Sequence, residues 1–184
     1  SLMPTPFPFT PGFEGAGEVT AVGRDVTRFA VGDKVYGRGR ALGAELAVMD
    51  VAQLAPMPDT LSFAQAAAIP SGAQVAYSAL HDVAQLQKGQ KVLVHGASGG
   101  VGQFAIQLAQ QAGAEVFATT SSRNLAQVQA SGVQHVINYN TQAFDEVVSG
   151  MDVVLNLVND ETEQHSWKVL RDGGLLLSLL RQPV

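Results

Sequence analysis

The chain has no cysteine among its 184 residues, which excludes disulfide bridges and zinc held by thiolates. Charge is also sparse. Asp, Glu, Lys and Arg make up 15% of the residues, and the net charge is −5 at pH 7. Without a basic run, the chain lacks the footprint needed to wrap nucleic acid or lie on an anionic membrane, and neither partner is expected. No apolar run reaches the length needed to cross a bilayer. The opening SLMPTPFPFTPG has neither the charged nor the apolar region of a secretory signal, so a cytoplasmic location is expected. Internal repeats and low-complexity tracts are missing as well. What is plentiful is apolar content, at 46%. That is enough for a real core in one domain or two small ones.

The most informative segment is KVLVHGASGGVGQFAIQLAQQAG, from Lys91 to Gly113. Val92 to Val94 form the short β-branched-rich run of a strand buried on both faces. A turn with Gly96, Gly99, Gly100 and Gly102 follows, and then an apolar stripe at Val101, Phe104, Ala105, Leu108, Ala109 and Ala112, with the spacing of a helix that faces a sheet. Glycines there let a pyrophosphate come close, and the helix start aims unpaired N–H groups at it. The spelling Ala97-x-Gly99-x-x-Gly102 puts Ala97 where the common fingerprint has its first glycine. A glycine-rich cap that binds nothing is the competing reading; the strand–turn–helix order favours a dinucleotide.

Ahead of this unit, short β-like runs at Gly17–Val22, Lys34–Tyr36 and Ala44–Met49 are separated by glycine turns, a pattern that predicts a small barrel. The period changes at Ser62, and SFAQAAAI with GAQVAYSALHDVAQL predicts two helices leading between domains. After the glycine turn the spacing predicts a strand at Glu115–Thr119, a helix at Leu125–Ala130, a strand at His135–Asn138, a helix at Gln142–Val148, a strand at Asp152–Val158, a helix at Glu163–Leu170 and a strand at Leu175–Leu180. This alternation implies a parallel sheet with helices on both faces. The expected domains are residues 1–70 and 71–184.

A fold of this kind that selects NAD places a carboxylate at the end of the second strand, to hold the ribose hydroxyls. Here that end reads Ala118-Thr119-Thr120-Ser121-Ser122-Arg123. Hydroxyls and a guanidinium suit the 2′-phosphate of NADP(H), which an acid would repel. Ser121 or Ser122 capping a helix, with Arg123 in solvent, is the competing reading.

Pro11-Gly12-Phe13-Glu14-Gly15-Ala16-Gly17-Glu18-Val19, Val31-Gly32-Asp33-Lys34-Val35, the Gly96–Gly102 turn and Val136-Ile137-Asn138-Tyr139 together resemble the medium-chain dehydrogenase/reductase superfamily, in its zinc-free quinone oxidoreductase branch. The resemblance implies an α/β fold: a Rossmann-type doubly wound parallel sheet (71–184) plus part of a GroES-like β-barrel domain (1–70). It implies that Ser98, Gly99, Gly100, Val101 and Gly102 meet the pyrophosphate. Thr119, Ser121, Ser122 and Arg123 would surround the adenosine 2′-phosphate. Tyr139 would contact that phosphate or its ribose, against the alternative of an aromatic covering the core, and Leu157 and Val158 would lie near the nicotinamide. Zinc-dependent relatives carry His where this chain has Phe13, so no metal is expected. His81, His95, His135 and His165 read as structural or surface histidines.

Two positions depart from the family pattern: Val75 replaces a threonine, and Asn159-Asp160 replaces a Gly-Gly pair. Family members also extend beyond both ends of this chain, so the resemblance implies a truncated chain whose free sheet edge would pair in a homodimer. The implied activity is NADPH-dependent, zinc-independent hydride transfer to a quinone or an α,β-unsaturated carbonyl, the cofactor supplying the hydride. The alternatives are an enoyl-thioester reductase of the polyketide type and a non-catalytic NADPH-binding module or fragment. No catalytic residue is assigned.

Overall fold

A computed structural model describes residues 7–179. The chain divides into two compact units, one up to Ser71 and the other from Gly72 onward. No helix among the described residues is long and apolar enough to cross a membrane.

In the first unit, β1 (Glu14–Glu18), β2 (Lys34–Arg38) and β3 (Leu54–Pro56) form an antiparallel sheet in that order. The register sets Glu14 opposite Arg38 and Glu18 opposite Lys34, so opposite charges face each other across the ladder. Gly37 is demanded by close approach, because a Cβ there would overlap the Gln53 carbonyl oxygen. The strand expected at Ala44–Met49 does not form. That segment has no ladder partner, and Val48 is 98% exposed. The third strand is instead the short Leu54–Pro56, after a 3₁₀ turn capped by Asp50, whose Oδ1 accepts from Ala52 N–H at 2.9 Å. The strand expected at Gly17–Val22 starts earlier, at Glu14, and ends at Glu18. An open hollow of about 560 Å³, lined by Val19, Val26, Phe29, Val35, Leu42 and Leu54 among others, lies within this unit. A capping box between Ser62 and Gln65 starts α1 (Phe63–Ala67).

Helix α2 (Pro70–Tyr77) continues into a π-helical turn at Ser78–Val83. The second unit is then β4 (Lys91–Val94), α3 (Gly100–Gln111), β5 (Glu115–Thr120), α4 (Leu125–Ala130), β6 (His135–Asn138), β7 (Met151–Asn156), α5 (Asp160–Ser166) and β8 (Leu170–Ser178). All five strands are parallel, in the order β6-β5-β4-β7-β8. Val92, Leu93 and Val94 on the central strand have no exposed surface, as a strand covered on both faces requires. One face packs Val92, Val94, Val116 and Leu155 under Ala105, Ile106 and Ala109 of α3. The other packs Leu93, Ile137 and Val154 with Val148, Met151 and Val169. The sheet is therefore doubly wound, as expected.

Four expectations for this unit need correction. The buried stripe of α3 is Gly102, Ala105, Ile106 and Ala109, while Val101, Phe104 and Leu108 flank it. Gln142–Val148 forms only one 3₁₀ turn, Phe144–Glu146. The last helix runs over Asp160–Ser166 rather than Glu163–Leu170, because Asn159 Oδ1 accepts from Thr162 N–H at 2.8 Å and starts it earlier. The final strand begins at Leu170, and its expected end at Leu180 lies outside the described residues.

Candidate cofactor site

Strand order reverses at β4. The chain runs outward through β5 and β6 on one side, then returns to place β7 on the other. A reversal of this kind opens a crevice at the carboxyl ends of the strands. The glycine turn leaves β4 there, and the segment after β7 meets it. A Cβ on Gly96 would come within 3.3 Å of both Leu157 Cβ and Val158 Cγ2, and Gly96 has φ +72°, a conformation that favours glycine. Leu157 and Val158 therefore lie against the glycine turn.

The glycines of the turn have separate tasks. A Cβ on Gly102 would overlap the Gly96 carbonyl oxygen and reach 2.8 Å from Ala97 Cα, so Gly102 lets α3 press onto the turn. Gly100 would project a Cβ into open space. Gly99, the residue before α3, has extended backbone and provides no side-chain cap, and the first turn of α3 carries no acid. The first intrahelical bond runs from Gln103 N–H to Gly99 O, leaving the N–H groups of Gly100, Val101 and Gly102 ahead of the ladder. A pyrophosphate matches that arrangement, with donors, a positive dipole end and room beside Gly100. Ser98 braces the turn. Its Oγ accepts from Asn124 Nδ2 at 2.9 Å, and its carbonyl accepts from Gln103 Nε2 at 3.0 Å.

The end of β5 needs a revised assignment. Thr119 is buried, and its Oγ1 lies 2.9 Å from His95 Nδ1, so its hydroxyl serves the interior rather than the surface. Ser122 is engaged too. Its N–H donates to Asn140 Oδ1 at 2.9 Å, and its Oγ accepts from Asn138 Nδ2 at 2.9 Å. Tyr139 is held beside this end by its N–H on Thr120 O at 3.1 Å, and its ring is 55% exposed rather than covering the core. Ser121 and Arg123 follow β5, Tyr139 follows β6 beside it, and residues 119–124 and 138–140 include no Asp or Glu.

Histidine 95 has a role that the sequence did not disclose. It is buried, with Phe144 edge-on at a ring separation of 4.5 Å. Ser166 Oγ donates to Thr162 O at 2.6 Å, which leaves it to accept from His95 Nε2–H at 3.2 Å. Nδ1 then accepts from Thr119, and the imidazole is neutral; burial pushes its pKa down to about 4. Thr119 O in turn accepts from Ala97 N–H at 3.3 Å, which ties the glycine turn to β5. No signal in the sequence separates this histidine from an exposed one, because its partners are 24 and 71 residues away.

The Asn159-Asp160 departure also has a structural account. Asn156 is fully buried; its Nδ2 donates to Asn159 O at 2.8 Å and its Oδ1 accepts from Val158 N–H at 3.1 Å. With Asn159 capping α5, side chains of the segment itself hold the turn. Among the described residues, no three His, Asp or Glu side chains cluster as metal ligands.

Both units of the chain are similar to known proteins. Residues 2–59 match the family model described as alcohol dehydrogenase GroES-like domain, and residues 100–179 match that described as zinc-binding dehydrogenase. Over 173 residues the chain is 43% identical to the spectinabilin polyketide synthase system protein NorB of Streptomyces orinoci, covering 91% of this chain and 8% of that one. Among solved structures it resembles the CurK enoyl reductase, with 38% identity and a TM-score of 0.88 over 92% of this chain and 53% of that one. It also resembles the quinone oxidoreductase of Coxiella burnetii, with 33% identity and a TM-score of 0.81 over 91% of this chain and 55% of that one. The chain thus spans about half of these solved structures and under a tenth of that synthase protein.

Proposed function

We propose, from the premise that this chain belongs to the medium-chain dehydrogenase/reductase superfamily, that it forms part of an NADPH-dependent, zinc-independent reductase of conjugated carbonyls. The observation that carries the reading is the glycine turn at the strand-order reversal, open at Gly100 and pressed against Leu157 and Val158. The N–H groups of Gly100, Val101 and Gly102 would hold the pyrophosphate. Ser121, Arg123 and Tyr139 would receive the 2′-phosphate, in a corner without a carboxylate to repel it. Thr119 supports the site from behind, through His95, instead of touching the ligand. Leu157 and Val158 would keep water from the nicotinamide end, and the nicotinamide supplies the hydride when bound.

Of the acceptors that this chemistry allows, an enoyl thioester is favoured. The support is the identity of 38–43% to a polyketide synthase protein and to an enoyl reductase, against 33% to a quinone oxidoreductase. A quinone is the second reading, supported by the fold shared with the Coxiella burnetii protein. Pairing of two copies of the whole protein belongs to the same proposal.

The test is cofactor fluorescence titration of this chain, followed by NADPH consumption by the whole protein with an enoyl thioester and with a quinone. NADPH binding with turnover of the thioester is expected. Turnover of the quinone alone overturns the thioester assignment, and absence of binding overturns the reading as a whole.

A further inference from the structure

The corner at the ends of β5 and β6 holds a residue that the family pattern does not bring forward. Asn140 follows Tyr139 in a surface loop, and its carboxamide is oriented by hydrogen bonds. Ser122 N–H is a donor that can only be met by an oxygen, so the Asn140 atom 2.9 Å away is Oδ1 and the amino group is the other arm. The same logic fixes Asn138, whose Oδ1 accepts from Asn140 N–H at 3.1 Å while its Nδ2 donates to Ser122 Oγ at 2.9 Å. Ser122 Oγ lies 3.2 Å from Asn138 Oδ1 and 3.3 Å from Asn140 Oδ1, the two oxygens to which its single proton can go. The single proton of the Ser122 hydroxyl is therefore taken within the protein. The Nδ2 of Asn140 has no hydrogen-bond partner among the described residues.

We propose that Asn140 is a specificity-determining residue for the 2′-phosphate, donating from Nδ2 while its Oδ1 locks Ser122, and that Ser122 is a brace rather than a ligand. The inference rests on the NADPH reading above and names the donor in that corner. An amide supplies N–H groups to an anion without the desolvation cost of a second cation, and it complements the guanidinium of Arg123, which lies one residue beyond the braced Ser122.

Two substitutions separate the donor from the brace. Asn140→Asp keeps an oxygen for Ser122 N–H but puts a negative charge where the phosphate would sit. Asn140→Ala removes brace and donor together and adds no charge. The measurement is the ratio of NADH to NADPH dissociation constants by fluorescence titration, with melting temperature recorded for each variant. The ratio is expected to fall modestly in Asn140→Ala and by roughly tenfold or more in Asn140→Asp, with the Asp variant melting like the unsubstituted chain. A mere brace predicts the reverse order, Ala worse than Asp, and that order, or no change in either variant, overturns the proposal. If the unsubstituted chain shows no preference for NADPH, the cofactor reading itself fails and takes this inference with it.

Discussion

His95 and Ser166 stand 71 positions apart in sequence and meet inside the protein, with Nε2 3.2 Å from Oγ. The bond ties the residue just after β4 to the last turn of α5, and Thr119 on the other ring nitrogen extends it to β5. The glycine turn that starts at Gly96 therefore leaves a residue held on two sides.

A neutral buried histidine makes stability depend on pH with a definite sign. Its folded pKa, about 4, lies below the usual 6.5, so the unfolded chain binds the proton first. Stability is full above about pH 6.5 and falls as the pH drops toward 4, by on the order of 3 kcal/mol from this group. Urea unfolding at several pH values checks this, and His95→Gln should flatten the slope in that window. A slope unchanged by the substitution would place the titration elsewhere.

Below that window two carboxylates take over. Bonds from His165 and Lys168 hold Asp145 below the usual range, and bonds from Lys91 N–H and Arg171 do the same for Asp152. Their contribution is present above the normal carboxylate pKa and is lost as pH falls through the lowered value. Asp152 matters more structurally, since its Oδ2 accepts Lys91 N–H at 2.7 Å where β4 begins beside β7. Asp152→Ala should cost about 1–3 kcal/mol in denaturant unfolding at neutral pH.

The two kinds of glycine in the turn should respond differently to alanine. Gly102→Ala places a Cβ on backbone atoms that cannot yield, so a loss of about 1–3 kcal/mol or more is expected. Gly100→Ala meets nothing, so the melting temperature should hold while NADPH affinity falls, because the added methyl group occupies the approach of the phosphates. Equal affinity in Gly100→Ala would remove the pyrophosphate from this place.

Arg123→Ala should weaken NADPH by about 1–3 kcal/mol and leave NADH nearly unchanged, if the guanidinium meets the 2′-phosphate. Parallel fluorescence titrations decide it. Equal weakening of both cofactors would assign Arg123 to the shared part of the dinucleotide.

What the sequence disclosed was local. The run Val92 to Val94, the glycine spacing and the helices Gly100–Gln111 and Leu125–Ala130 carry their causes within a few residues, and so they were legible. Ala44–Met49 misled because alternating apolar residues describe a strand only where a partner supplies a ladder. Gln142–Val148 misled because one 3₁₀ turn, Phe144–Glu146, is enough to bring Phe144 and Val148 onto the same core. At the site, the residue types of Thr119 and Ser122 are local facts, but the partners of their hydroxyls, His95 and Asn138, are not. A side chain's partner is a tertiary fact, and a chain read in one dimension does not contain it.

The turn after β7 is closed by its own residues, with Asn156 bonded to Asn159 and Val158, and Asn159 bonded to Thr162. A loop that carries its own scaffolding tolerates exchange at its crown. On the proposed function, Val158, 43% exposed while Leu157 packs against the core, is where evolution or an engineer could retune the nicotinamide end without touching the bonds that close the turn. Selectivity and stability would then be written in different residues of the same seven-residue stretch, Asn156 to Thr162.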